Sequence, residues 1–137
     1  MTVVGLDDTD SRAGMCTTYL AARLARRLRE RGATVQRLLL VRLNPAVEHK
    51  TRGNGALAVH TDAAPETAFE LARDLVETAA EPADDTNPGL VVAPGDPTAV
   101  PDDVAAFARA AVRDHHDLAD AVALAETAGY RTEEWGV

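Results

Sequence analysis

Three carboxylates, Asp7, Asp8 and Asp10, fall within four positions in the stretch GLDDTDS, directly after the apolar start TVVGL. Side by side they repel one another. Hard oxygen donors at the carboxyl end of a strand suit magnesium, which prefers one or two carboxylates completed by phosphate and water. Taken alone, the triplet reads more readily as an acidic turn that caps the next helix. Directly behind it, GMCTT (Gly14 to Thr18) opens a helical pattern. The unpaired N–H groups and positive pole of a helix start seat phosphate, and Thr17 and Thr18 add hydroxyls there. Gly14 and Cys16 belong to that candidate phosphate seat; Cys16 has no histidine beside it in sequence and reads as a small packing residue.

A third group lies in RLNPAVEHKTRGNG, where Arg42, Asn44, His49, Lys50, Arg52 and Asn54 share thirteen positions. Lys50 is the only lysine of the chain. Arginine grips phosphate through two parallel bonds and lysine supplies a point charge, which makes Lys50, Arg52 and Asn54 candidate phosphate-binding residues. His115 and His116 are adjacent and cannot face one ligand as i, i+4 residues would, and His60 falls at a strand end. No GxxxxGK[ST], GxGxxG or GxSxG occurs, so a nucleotide site here follows a less familiar design.

The elements that must position these groups are legible from periodicity. Thr2–Leu6, Val35–Leu43, Ala56–Thr61, Leu90–Ala93 and Tyr130–Val137 read as strands. Cys16–Arg31 reads as an amphipathic helix, with Leu20, Leu24 and Leu28 on one side and Gly32 as its stop. Pro65–Ala80 reads as a second helix, and Asp102–Ala128 as a third that Gly129 ends. Strands alternating with helices predict an α/β fold: a single domain over residues 1–137, with a mixed β-sheet of about five strands flanked by helices.

Composition narrows the function classes. One cysteine excludes an internal disulfide and leaves no zinc-binding cluster. No apolar run approaches the eighteen residues that span a bilayer, so a cytoplasmic protein without membrane contact is expected. A net charge of -8 with a single lysine suits a surface hydrated at high salt, hence a halophilic source. The same balance argues against a broad basic face for nucleic acid.

Together, GLDDTDSRAGMCTTYLA, VRLNPAVEHKTRGNGA and the later DDTNPG resemble the archaeal tRNA(Ile) 2-agmatinylcytidine synthetases, specifically their N-terminal kinase-like domain. The resemblance implies an ATP-dependent modification of the wobble cytidine of an AUA-reading isoleucine tRNA. In that family ATP activates the C2 oxygen of the cytidine, and agmatine then displaces it, so the same chemistry is implied here. It implies ATP and Mg2+ as cofactors, with Asp7, Asp8 and Asp10 on the metal, and Lys50, Arg52 and Asn54 near the phosphates or the cytidine. It also implies self-phosphorylation at Thr17, with Thr18 as second choice. The ferredoxin-like, oligonucleotide-binding and zinc-ribbon domains of that family have no counterpart in these 137 residues, so most of the tRNA contact is expected from parts absent here. Glu48 and His49 stand where the family commonly has proline and an aromatic.

Two other classes compete. Asp8-Thr9-Asp10 after a strand resembles the start of haloacid-dehalogenase-like phosphohydrolases, although Arg12 occupies that motif's last position. A non-catalytic nucleotide-binding module that depends on partner domains would bind ATP without phosphoryl transfer.

Overall fold

The computed structural model describes residues 1–7, 17–42, 55–79, 89–113 and 118–134. The elements run β1 (Thr2–Asp7), α1 (Thr17–Glu30), β2 (Val35–Arg42), β3 (Gly55–Thr61), α2 (Pro65–Ala79), β4 (Gly89–Pro94), α3 (Asp102–Arg113), α4 (Leu118–Thr127) and β5 (Arg131–Glu134), with a 3-10 turn at Pro97–Ala99. The strands form one sheet in the order β2-β3-β1-β4-β5. Up to β4 this is the split βαβ arrangement, in which a hairpin strand enters between two strands joined by a helical crossover.

The α/β domain of five strands with flanking helices matches the sequence expectation, but its expected mixture of parallel and antiparallel pairs is corrected. All four neighbouring pairs are antiparallel. β3 separates β1 from β2, the two strands that the crossover through α1 makes parallel. The helix expected over 102–128 is two helices, α3 and α4. Residues 114–117 between them, with His115 and His116, lie outside the described residues.

One face of the sheet carries the core. Thr2, Val4 and Leu6 alternate with half-buried neighbours along β1, as Leu90 and Val92 do along β4. Val4, Leu6, Leu90 and Val92 pack with Leu57 and Val59 of β3, Leu20, Leu24 and Leu28 of α1, and Phe69, Leu75 and Val76 of α2. Gly32 and Gly129 end α1 and α4 with positive φ of 88° and 83°. At each, the next residue's N–H reaches back to close the turn, Ala33 to the Leu28 carbonyl and Tyr130 to the Ala125 carbonyl. Both stops were readable as helix-ending glycines. Among the described residues no helix is long and apolar enough to cross a membrane.

Candidate functional site

The two ends of the sheet are built differently. At one end the connections are short and closed by buried threonines: Thr2 donates to the Ala63 carbonyl at 2.7 Å, and Thr61 to the Thr34 carbonyl at 2.8 Å. Thr34 N–H donates to the Asp62 carboxylate at 2.7 Å beside them. At the other end the register aligns Asp7 with Ala56 on one side and Gly89 on the other, Arg42 with Gly55, and Gly89 with Glu134. Segments 8–16, 43–54 and 80–88 are covalently attached to these residues, so the acidic, basic and TNPG motifs all join the sheet at one edge. The four-residue link 31–34 ties the C-terminus of α1 to the opposite end. The first turn of α1, with Thr17 and Thr18, therefore lies toward the Asp7 edge and turns its positive pole that way.

Asp8, Asp10, Gly14, Cys16, Lys50, Arg52 and Asn54 lie outside the described residues, as do the side chains of Thr17 and Thr18. Asp7 ends β1 on the face opposite the core. A Cβ built on Gly89 would stand 2.6 Å from Asp7 Oδ1, so the glycine leaves the carboxylate its seat. The TNPG motif thus meets the acidic motif through a residue without a side chain.

Beneath that seat, between the second face of the sheet and α3–α4, lies a cavity of about 410 Å3. Its floor is Gly5, Asp7, Gly89, Val91, Thr132 and Glu134, and its roof is mostly Val104, Phe107, Ala121 and Val122. Small residues create it: a Cβ at Gly5 would already meet Val91 Cγ1 at 2.9 Å. Glu134 was missed by sequence reasoning, because a four-residue strand near the chain end carries no motif; only the register brings it beside Gly89, on the face of Asp7.

Oxygen donors at a strand's end with a helix start facing them fit a hard divalent cation and a phosphate group. Among the described residues no group of three or more potential metal ligands is assembled, since Asp7 is the one described member of its triplet.

Residues 3–65 match the family model described as TiaS TCKD domain. The isoleucine-tRNA 2-agmatinylcytidine synthetase TiaS of Haloquadratum walsbyi is 50% identical over 138 residues, covering 98% of this chain and 30% of that protein. Over the part it covers, the chain belongs to the TiaS family. The TiaS of Pyrococcus horikoshii is 41% identical over 130 residues, covering 92% of this chain and 30% of that protein. The crystal structure of TiaS in complex with its isoleucine tRNA and ATP superposes with a TM-score of 0.84 at 32% identity, covering 98% of this chain and 32% of that one. That of TiaS with the same tRNA, AMPCPP and agmatine gives 0.77 at 28% identity, with the same coverage. The chain thus spans about a third of the length of its TiaS relatives.

Proposed function

We propose that the chain is the ATP-using, kinase-like part of an isoleucine-tRNA 2-agmatinylcytidine synthetase, with ATP, agmatine and the isoleucine tRNA as partners. The observation that carries this is the edge itself: the acidic, basic and TNPG segments attach there together, and Gly89 makes room for Asp7. TiaS relatives have been crystallised with isoleucine tRNA and ATP, and with the tRNA, AMPCPP and agmatine, which supports the same partners here.

Asp7, Asp8 and Asp10 hold Mg2+, which when bound neutralises charge on the transferring phosphate. Gly14 and Cys16, which precede α1 in sequence, grip the remaining phosphate oxygens with Lys50, Arg52 and Asn54. Phosphoryl transfer asks for little covalent work beyond such placement of charge and acceptor. The phosphoryl group passes to the cytidine C2 oxygen. The primary amine of agmatine then attacks C2, and the phosphate departs with that oxygen. The cavity beside Asp7 takes the adenine of ATP against its apolar roof. Thr17, or Thr18 beside it, accepts phosphate in the self-modification.

Incubation with γ-labelled ATP and magnesium, followed by mass mapping, tests this. Label on Thr17 or Thr18 that Asp8→Asn abolishes is the expected result. Label on Asp8 would instead mark the phosphohydrolase alternative. ATP binding without any transfer would make the chain a nucleotide-binding module.

A further inference from the structure

The average charge conceals a strong asymmetry. Between residues 23 and 37 the chain carries Arg23, Arg26, Arg27, Arg29, Arg31 and Arg37 against Glu30 alone, a local balance of +5. The remaining 8 basic and 21 acidic residues leave -13 elsewhere, which restores the total of -8. The fold keeps the two signs apart. α1 packs over β2 and β3, whereas α2, with Glu66, Glu70, Asp74 and Glu77, packs over β1 and β4. The sole ion pair among the described residues is Arg73 with Glu77, at 4.0 Å and within α2. Among the described residues, no α1 guanidinium is in an ion pair with an acidic side chain.

Arg23, Arg26 and Arg27 fall at i, i+3 and i+4 and line one outward groove of α1 with Tyr19, Ala22 and Glu30. Like charges at this spacing destabilise a helix. They persist here without an ion pair among the described residues, with Glu30 the single acid in the groove, in a chain that elsewhere carries excess acid. Tyr19, 51% exposed, stands four residues before Arg23 on the same side and offers an aromatic face to a base or ribose. At ~1.5 Å per residue, the 14-residue helix extends about 21 Å away from the Asp7 edge, several phosphate spacings of a nucleic-acid backbone.

We infer that the outer face of α1 is an RNA-backbone surface: Arg23, Arg26 and Arg27 contact phosphates of the tRNA whose base is presented at the Asp7 edge. This rests on the proposed function for the identity of the RNA, and adds a grip within this chain to contacts expected from other domains.

The test is binding of the chain to an isoleucine tRNA, read by fluorescence anisotropy between 50 and 250 mM salt. Replacing Arg23, Arg26 and Arg27 together by Ala is expected to weaken binding at least tenfold at 100 mM salt. It should also reduce the slope of log K against log salt by about 2, at ~0.7–0.9 per phosphate contact. The control variant Arg73→Ala with Arg109→Ala, which removes cations elsewhere, should bind as the parent does. Thermal melts establish that each variant is folded, and ATP titration of the triple variant should match the parent. Unchanged affinity and slope in the triple variant, or equal loss in the control variant, overturns the inference. So does capture of polyglutamate in preference to tRNA, which would make the face a protein-docking surface. Loss of ATP binding in the parent with tRNA binding intact fails the proposed function alone.

Discussion

Gly89→Ala isolates the seat of Asp7 from the stability of the fold. Gly89 begins β4 and has no positive φ, so alanine is free to adopt its conformation, and fewer unfolded conformations are available to the variant. The added Cβ would lie 2.6 Å from Asp7 Oδ1, and ordinary contact requires about 3.4 Å. The carboxylate must therefore retreat by about 0.8 Å, beyond the ~0.5 Å tolerance of a productive site. A displacement near 1 Å costs a reaction about 10²-fold. The expected outcome is label transfer from ATP reduced by about two orders of magnitude, weakened Mg2+ dependence, and a melting temperature within a few degrees of the parent. The assay is γ-labelled ATP transfer across a magnesium titration, beside a thermal melt of the same preparation. Parent-level transfer in a folded variant would refute the role given to Asp7. A fall in melting temperature large enough to account for the lost activity would assign Gly89 to packing instead.

Other outcomes follow from particular side chains. Leu24 is fully buried in the core while Leu40 is 54% exposed on the edge strand β2, so chemical denaturation should show Leu24→Ala costing about 2–5 kcal/mol and Leu40→Ala under about 1 kcal/mol. Ala121→Leu places three carbons in the cavity roof and should raise the ATP dissociation constant about tenfold, measured by calorimetry, with Mg2+ binding unaffected. The Asp96 carboxyl is held below its ordinary value of 3.8, first by the N–H of Thr98 and then by its hydroxyl, with smaller help from the N-terminal charge and His60. A depressed folded pKa means that its contribution is complete above the unfolded value and is lost as pH falls through the lower folded one. Melting curves of the parent and Asp96→Asn should hence differ above pH 4 and converge in stronger acid.

The strands and helices were legible because apolar spacing and helix-ending glycines are local signals: Leu20, Leu24 and Leu28 predicted the buried side of α1, and Gly32 its end. Sheet order was not legible, because it depends on which strand enters between β1 and β2, a long-range choice with no sequence period of its own. The meeting of Asp7 with Gly89 belongs to the same class: eighty-two positions separate the two motifs, and only the β1–β4 register joins them. Glu134 joined the edge in the same way through β5. Charge segregation was present in the sequence all along. A single net value averaged it away, since 21 acidic residues outside 23–37 outweigh six arginines inside it.

That segregation also bears on why the grip is all arginine. At 0.15 M salt exposed charges are screened beyond about 8 Å, so an RNA strand on α1 feels the nearby guanidiniums more than the acid on α2 and β5. Near 1 M salt the range falls to about 3 Å, and only groups in direct contact contribute. A lysine acts there as a hydrated point charge, whereas a guanidinium keeps two oriented hydrogen bonds to a phosphate. Replacing Arg23, Arg26 and Arg27 together by Lys keeps the charge and removes the fork. At 50 mM salt this variant should bind tRNA within about twofold of the parent, since steering depends on charge alone. As salt rises toward 1 M, the two titrations should separate, with the lysine variant releasing its RNA first. Parallel titrations across the whole range would mean that the arginines act only as point charges, and that their geometry contributes nothing to holding the RNA.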